Sequence, residues 1–395
     1  MDAEIELSPT TSQTDEKRAS AKLARKHAYF ALLGCSILQL PIWGIAMTFG
    51  IFQSAYIRDG LITSSSGSSG VIGTTLNGVM YLSMPILFTA LDRGTWAKYR
   101  RSVAITGVLI SSLAFLLSSF SHQLWHLVLT QGVLAALGST MLYSPTTLYL
   151  DEHFHGGKAT AYGATLSSKN IVGTCCPLMF TALLDHVGSR WTLRIWALML
   201  LVTGIFGIAV IPTKASLARR SPAKVPWSFL RHKTFYVYCI ANAVFSSGYG
   251  IPQTYLPGYA RDVLHQSTFS GSITITLFNA PGILSCVGFG FMSDRRKWSP
   301  IATFLSAFGT SVCALFLWGL ASNRIPGLLI AFSLGCGFFA GGYSSTWGGW
   351  VKDLEREAIE ANEAINTGML YGLLNGARGV GYALSGGVSG PSMEL

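Results

Sequence analysis

Apolar residues in this chain come in long blocks separated by short polar connectors, with little of the alternation that strands produce. A helix needs about 20 apolar residues to cross the roughly 30 Å hydrocarbon core of a bilayer, and block after block reaches that length. The pattern predicts spans at 29–57, 71–91, 102–120, 124–150, 160–184 and 193–211. After a polar connector at 212–234 it predicts five more, at 235–259, 269–292, 301–320, 326–350 and 367–388. The expected architecture is an all-α polytopic membrane protein with 11 spans: a six-helix bundle over 29–211 and a five-helix bundle over 235–395. Residues 1–28 are polar, mixed in charge and rich in Ser and Thr, which predicts a disordered tail. No apolar core follows a short basic start, so no signal peptide is expected.

Composition narrows the class. Half of the 395 residues are hydrophobic and only 12% are charged, about half the charge that a soluble domain carries. The net charge of +10 points to nucleic acid only as a sum; the charges sit in short connectors between apolar blocks, where they set membrane orientation instead, and no nucleic acid is expected. Of the 28 Lys and Arg, 21 fall in the tail and the connectors on its side, and five on the other side. By the positive-inside rule the tail is cytoplasmic, and with 11 spans the C-terminus lies outside. The seven cysteines sit inside apolar stretches without C-x-x-C or His partners at metal spacing, which predicts free thiols and no metal site.

Six spans, a long basic connector and five more suggest two homologous halves. The connectors after the second and eighth spans, ALDRGTWAKYRR and GFMSDRRKW, place Asp92–Arg93 and Asp294–Arg295 at equivalent mouths of the two halves. These residues resemble the G-x-x-x-D-R loop motif of the major facilitator superfamily. Gly290 fits the second copy, while Phe88 stands where the first copy would have glycine. PIWGIAMTFGIFQSAY, LYLDEHF, GYGIPQTYLPGYA, GGYSSTWGGWVKDL and ARGVGYALSGGVSGPS resemble the fungal branch of the monocarboxylate-porter family. The likeness runs from about Tyr29 to Pro391 and is weak for substrate. It implies a two-bundle fold with a parallel repeat, in a plasma-membrane carrier that works by alternating access. In that family Asp92, Arg93, Asp294 and Arg295 would be gating-loop residues. The family has twelve spans, and the seven residues after 388 are too few for another; a missing twelfth span is therefore expected.

Candidate chemistry lies where charge is expensive. A cation at the bilayer centre costs about 2.5–3.5 kcal/mol on insertion scales and usually faces a cavity or a partner. Lys169 lies midway along the fifth span and Arg378 midway along the eleventh, equivalent helices in a two-half repeat. None of the 18 acidic residues lies mid-span to neutralise them. An organic anion would, held by a planar fork from Arg and a point charge from Lys; snorkelling of Lys169 or carbonyl bonding by Arg378 is the structural alternative. In the implied fold the first, fourth, seventh and tenth helices line the cavity, which makes Tyr143, Tyr343 and Trp347 candidate contacts. The expected function is transport of a small organic, anionic solute, with protons as a candidate coupling ion and no cofactor. Efflux of a secondary metabolite is favoured slightly over uptake of a monocarboxylate or nutrient. A non-transporting sensor, or a product inactivated by truncation, is the alternative of another class. No enzyme is expected, because H-E-x-x-H, G-x-S-x-G and a phosphate-binding loop are all absent.

Overall fold

The computed structural model describes residues 11–60, 70–93, 95–154, 157–212, 227–319 and 325–388. The most polar part of the long connector, 213–226, and the last seven residues lie outside these. All regular structure among the described residues is helical. We number the helices α1 (Thr11–Ile37), α2 (Gln39–Trp43), α3 (Phe49–Arg58), α4 (Val71–Leu91), α5 (Arg100–Ser118), α6 (Leu124–His153) and α7 (Lys158–Val210) in the first half. The second half holds α8 (Lys233–Asp262), α9 (Thr268–Ser293), α10 (Ser299–Gly319), α11 (Pro326–Glu360) and α12 (Thr367–Val388).

Seven of these are long and apolar enough to cross a membrane. One, α7, has 53 residues and bends at Gly188, whose φ of 75° suits glycine alone, so the fifth and sixth expected spans appear as its two arms. The segments expected at 235–259 and 367–388 are helical but fall outside the seven. They carry buried Asn242, Ser246, Gln253, Asn375 and Arg378, and the count of 11 spans stays an expectation.

Two expectations need correction. The tail is not disordered up to residue 28: α1 begins at Thr11. Residues 15–26 are rich in Ala, Lys, Arg, Glu and Leu, strong helix formers, and they extend the helix that follows. The segment at 29–57 is not one helix: α1 ends at Ile37, α2 covers five residues, and a turn at 44–48 leads into α3. Close packing accompanies the break, since a Cβ on Gly44 would collide with the indole of Trp196.

Outward faces carry large apolar side chains such as Leu198, Val202, Ile240, Val244, Leu284, Phe304 and Phe308, as expected where lipid is the solvent. Exposed tryptophans mark both ends of the helices: Trp96, Trp227 and Trp298 beside the basic connectors, and Trp125 and Trp191 at the opposite ends. All seven cysteines are free; five are buried, Cys239 is half-buried and Cys175 is exposed.

The halves meet along two seams, α7 with α9 and α4 with α12. Glycine lets the backbones approach. A Cβ on Gly290 of α9 would lie 2.6 Å from the carbonyl oxygen of Ala159, and one on Gly163 of α7 would collide with that of Cys286. Further along the seam, Asn170 fills the space over Gly282 while Asn279 fills the space over Gly173, so an N-x-x-G pair from each half inserts into the other. On α12, Gly368, Gly372, Gly376 and Gly379 present one face to α4, the small-residue spacing that membrane helices use for contact.

Candidate functional site

Arg378 is 3% exposed, and its neighbours explain how a guanidinium stays there. Gly379 and Gly381 lack the side chains that would hold α12 away from Leu82 of α4 and Ala243 of α8. Its Nε donates to Ser246 Oγ at 3.2 Å and one terminal nitrogen to Ser344 Oγ at 2.6 Å. Ser344 lies on the 3₁₀ turn Tyr343–Thr346 within α11; this tighter turn precedes Trp347, the other α11 residue at the guanidinium. The guanidinium carbon sits 5.7 Å from the Tyr81 ring centre, 5.7 Å from that of Tyr249 and 5.1 Å from that of Trp347. Ring faces attract cations through their quadrupole, by up to about 2 kcal/mol when desolvated. No carboxylate among the described residues pairs with Arg378.

Lys169 sits in a matching arrangement in the first half. It is 6% exposed, with Nζ 4.1 Å from the Trp43 ring centre and no paired carboxylate among the described residues. The indole is fixed from behind: Trp43 Nε1 donates to Gln39 Oε1 at 2.9 Å, and Gln39 Nε2 donates to the Cys35 carbonyl at 3.0 Å. Tyr81 joins the two arrangements, 5.7 Å from Trp43 and under Arg378. Two desolvated cations and their rings thus form one continuous polar-aromatic centre built by both halves.

Of the five candidate binding residues, three converge here and two stand apart. Lys169, Arg378 and Trp347 belong to the centre. Tyr143 lies one layer away, its ring 5.7 Å from Trp43 and its hydroxyl 2.6 Å from that of Tyr162. Tyr343 stacks on Phe245 at 3.7 Å, and no ring contact joins it to Arg378. Sequence reasoning missed Trp43, Tyr81, Tyr249, Ser246 and Tyr382, the last of which stacks on Tyr81 across the seam at 5.4 Å. Tyr249 had a signal in its Gly-Tyr-Gly-Ile-Pro setting; Tyr81 had none beyond its position four residues before Pro85.

The loop aspartates are placed at equivalent mouths, but their partners are not the adjacent arginines. Arg93 and Arg295 are exposed, and Arg295 lies over Phe291 at 4.4 Å. Asp294 instead reaches across the seam to the first turn of α7. Its carboxylate accepts from Thr160 N at 2.8 Å, Thr160 Oγ1 at 2.6 Å and Ala159 N at 3.2 Å, and pairs with Lys352 Nζ at 2.6 Å. Those N–H groups have no partner within their own helix, and a negative charge at a helix N-terminus is favourable. Burial pulls the Asp294 carboxyl up, but the bonds from Lys352 and Thr160 prevail and hold it below the usual carboxylate value. Asp92 makes the equivalent crossing to α12, close against Gly368 with Asn366 hydrogen-bonded to it. Arg100 pairs with it at 3.4 Å while also bonding Glu152 and the Leu91 carbonyl. Burial outweighs these attractions and raises the Asp92 carboxyl above its usual value.

Comparison with known proteins places this geometry. The sequence model of the Major Facilitator Superfamily matches residues 32–386. Among curated relatives, MFS-type transporter pynF of Aspergillus niger is 24% identical over 82% of this chain and 73% of its own. The Fujikurins efflux protein of Gibberella fujikuroi is 24% identical over 79% of this chain and 67% of its own. Monocarboxylate transporter 13 of Bos taurus is 25% identical, covering 73% and 66%. Among solved structures, the human organic anion transporter MFSD10 superposes with a TM-score of 0.64 over 92% of both chains at 14% identity, a likeness of fold.

Proposed function

Because the chain belongs to the Major Facilitator Superfamily, a family of membrane transporters, we propose that it carries a small organic anion by alternating access, with Lys169 and Arg378 as the anion-holding pair. The observation that carries this reading is the pair of buried cations without a carboxylate partner among the described residues. Ring faces offset part of their desolvation, and an entering carboxylate or enolate would supply the missing charge, with Arg offering a fork and Lys a point charge. Rocking of the two halves about the α7–α9 and α4–α12 seams would expose the centre to each side in turn. Asp92 and Asp294 would hold the connector side shut in the form described above, with Arg93 and Arg295 at the rim of the same gate. A proton is the candidate coupling ion.

Efflux of a secondary metabolite is the direction we favour, because one relative is named for efflux; the likeness to a monocarboxylate transporter favours uptake as the second reading. The 21-to-5 split of basic residues supports a cytoplasmic N-terminus, and we assign the protein to the plasma membrane. The test is counterflow of a labelled organic acid in proteoliposomes by the wild type, Arg378→Lys and Lys169→Ala. The reading expects a loss of tenfold or more in both variants at equal reconstitution. Wild-type rates in both would refute it.

A further inference from the structure

The walls around the cation pair carry more information than the charges do. Arg378 is faced by the rings of Tyr81, Tyr249 and Trp347, and Lys169 by that of Trp43. A site for a small aliphatic acid needs only the cations and a few donors; aliphatic side chains would line the rest equally well. Here each cation is faced by aromatic rings, four in all, which come from four helices, α2, α4, α8 and α11. Tyr81 and Tyr382, from opposite halves, lie nearly parallel, 12° apart in plane with centres 5.4 Å apart.

One donor in this wall is unused. Trp347 is fully buried, its ring is 5.1 Å from the guanidinium, and its Nε1 has no hydrogen-bond partner. A buried donor normally finds an acceptor, so an orphan N–H beside an uncompensated cation indicates an acceptor atom that arrives with a ligand. On Arg378 itself the hydroxyls of Ser246 and Ser344 accept two of the five N–H bonds, and no carboxylate among the described residues faces the fork.

We propose that the substrate is a planar, conjugated anion, an aromatic carboxylate or an enolised β-dicarbonyl. Its charged oxygens meet Arg378 and Lys169, one of them also accepts from Trp347 Nε1, and its flat face lies against the tyrosine rings. This rests on the anion-carrier reading and deepens it. Delocalisation does two things in such a site. It spreads the negative charge over oxygens in one plane, which matches a guanidinium fork, and it provides a π-face that stacks on the walls. A saturated acid of equal size keeps the charge and loses the stacking.

The test compares three compounds of one skeleton on the purified full-length protein in nanodiscs, with affinities from calorimetry. They are 2-naphthoate, its saturated counterpart trans-decahydro-2-naphthoate, and the neutral 2-naphthamide. The proposal expects 2-naphthoate to bind about tenfold more tightly than the saturated acid, the sum of two ring contacts of ordinary strength, and at least tenfold more tightly than the amide. Tyr249→Leu should reduce the first ratio to about threefold or less, with Tyr81→Leu as the second variant if that protein fails to fold, whereas Trp347→Leu should weaken both acids alike and leave the ratio unchanged. Equal binding of the two acids would overturn planarity and leave the anion reading standing. Equal binding of naphthoate and naphthamide would overturn the anion reading itself. Binding by none of the three would overturn the proposal.

Discussion

The α7–α9 seam makes a prediction whose size follows from one missing methyl group. A Cβ added at Gly290 would sit 2.6 Å from the Ala159 carbonyl oxygen and 3.3 Å from its carbon, about 0.8 Å inside ordinary contact. The obstructing atoms are backbone, so no rotamer change relieves the clash; the two helices must part. Overpacking of this kind costs about 1–3 kcal/mol, and every 1.4 kcal/mol is tenfold in an equilibrium. Gly290 is one turn from Asp294, so parting the helices also stretches the bonds from Asp294 to Ala159 and Thr160. Gly290→Ala should therefore shift the protein towards forms open on the connector side by about 5- to 150-fold. Spin labels on Lys98 and Arg296, both exposed on that side and in opposite halves, would read this by pulsed electron resonance in a cysteine-free background. The expected result is growth of the long-distance population. Gly288→Ala is the control, because a Cβ there meets nothing within 4 Å. Identical distance distributions for Gly290→Ala and Gly288→Ala would refute the reasoning.

Other predictions concern the loop aspartates and the surroundings of the cation pair. The Asp294 carboxyl lies below its ordinary value, so its contribution is present above that value and is lost only as pH falls through the lowered one. The melting temperature of Asp294→Asn should lie below wild type at pH 7, with the gap persisting towards pH 4; no gap at pH 7 would contradict this. The Asp92 carboxyl is raised by burial, so its ionised form carries a cost that disappears as pH falls through the raised value. Asp92→Asn should be as stable as wild type or more so at pH 7, and the difference should fade on acidification; a large drop at pH 7 would contradict this. Ser344→Ala removes the 2.6 Å acceptor of Arg378 and leaves a buried charged donor less satisfied, a loss of about 1.5–3 kcal/mol visible as a lower melting temperature. Tyr162→Phe removes the hydroxyl 2.6 Å from that of Tyr143 and should cost about 1 kcal/mol with little change in anion affinity, since Tyr162 does not touch either cation.

How legible the molecule was depends on which signal a residue sends in sequence. Apolar blocks announced most helices, and Gly188 marks a bend where a short polar connector was expected, because length and hydropathy report the bilayer directly. The break after Ile37 was hidden: residues 44–48 are as apolar as a helix, and the close approach of Gly44 to Trp196 that accompanies their turn leaves no mark in the local sequence. Lys169 and Arg378 stood out because a charge in an apolar run is rare. The rings around them did not, since an aromatic residue in a membrane helix looks the same whether it faces lipid, a neighbour or a cation. Asp92 and Asp294 were recognised from their loops, yet of their partners only Arg100 lies in the same connector; Lys352 is distant in the chain, and the first turns of α7 and α12 come from the opposite half. Adjacent arginines in the sequence were therefore misleading guides to contact.

The reciprocal insertion of Asn170 over Gly282 and Asn279 over Gly173 has a consequence for how this chain can change. Each glycine is an empty seat kept for an amide from the other half, so the four positions share one fate. Enlarging Gly282 alone evicts Asn170, and shrinking Asn170 alone leaves a vacancy; together the two alterations can cancel, which is the signature of strong energetic coupling between neighbours. An exchange of the pair, Asn170→Gly with Gly282→Asn, is thus a gentler edit than either half of it. Two bundles joined in this way can tilt about the shared seats, but neither can shift by a helical turn without unseating both amides at once.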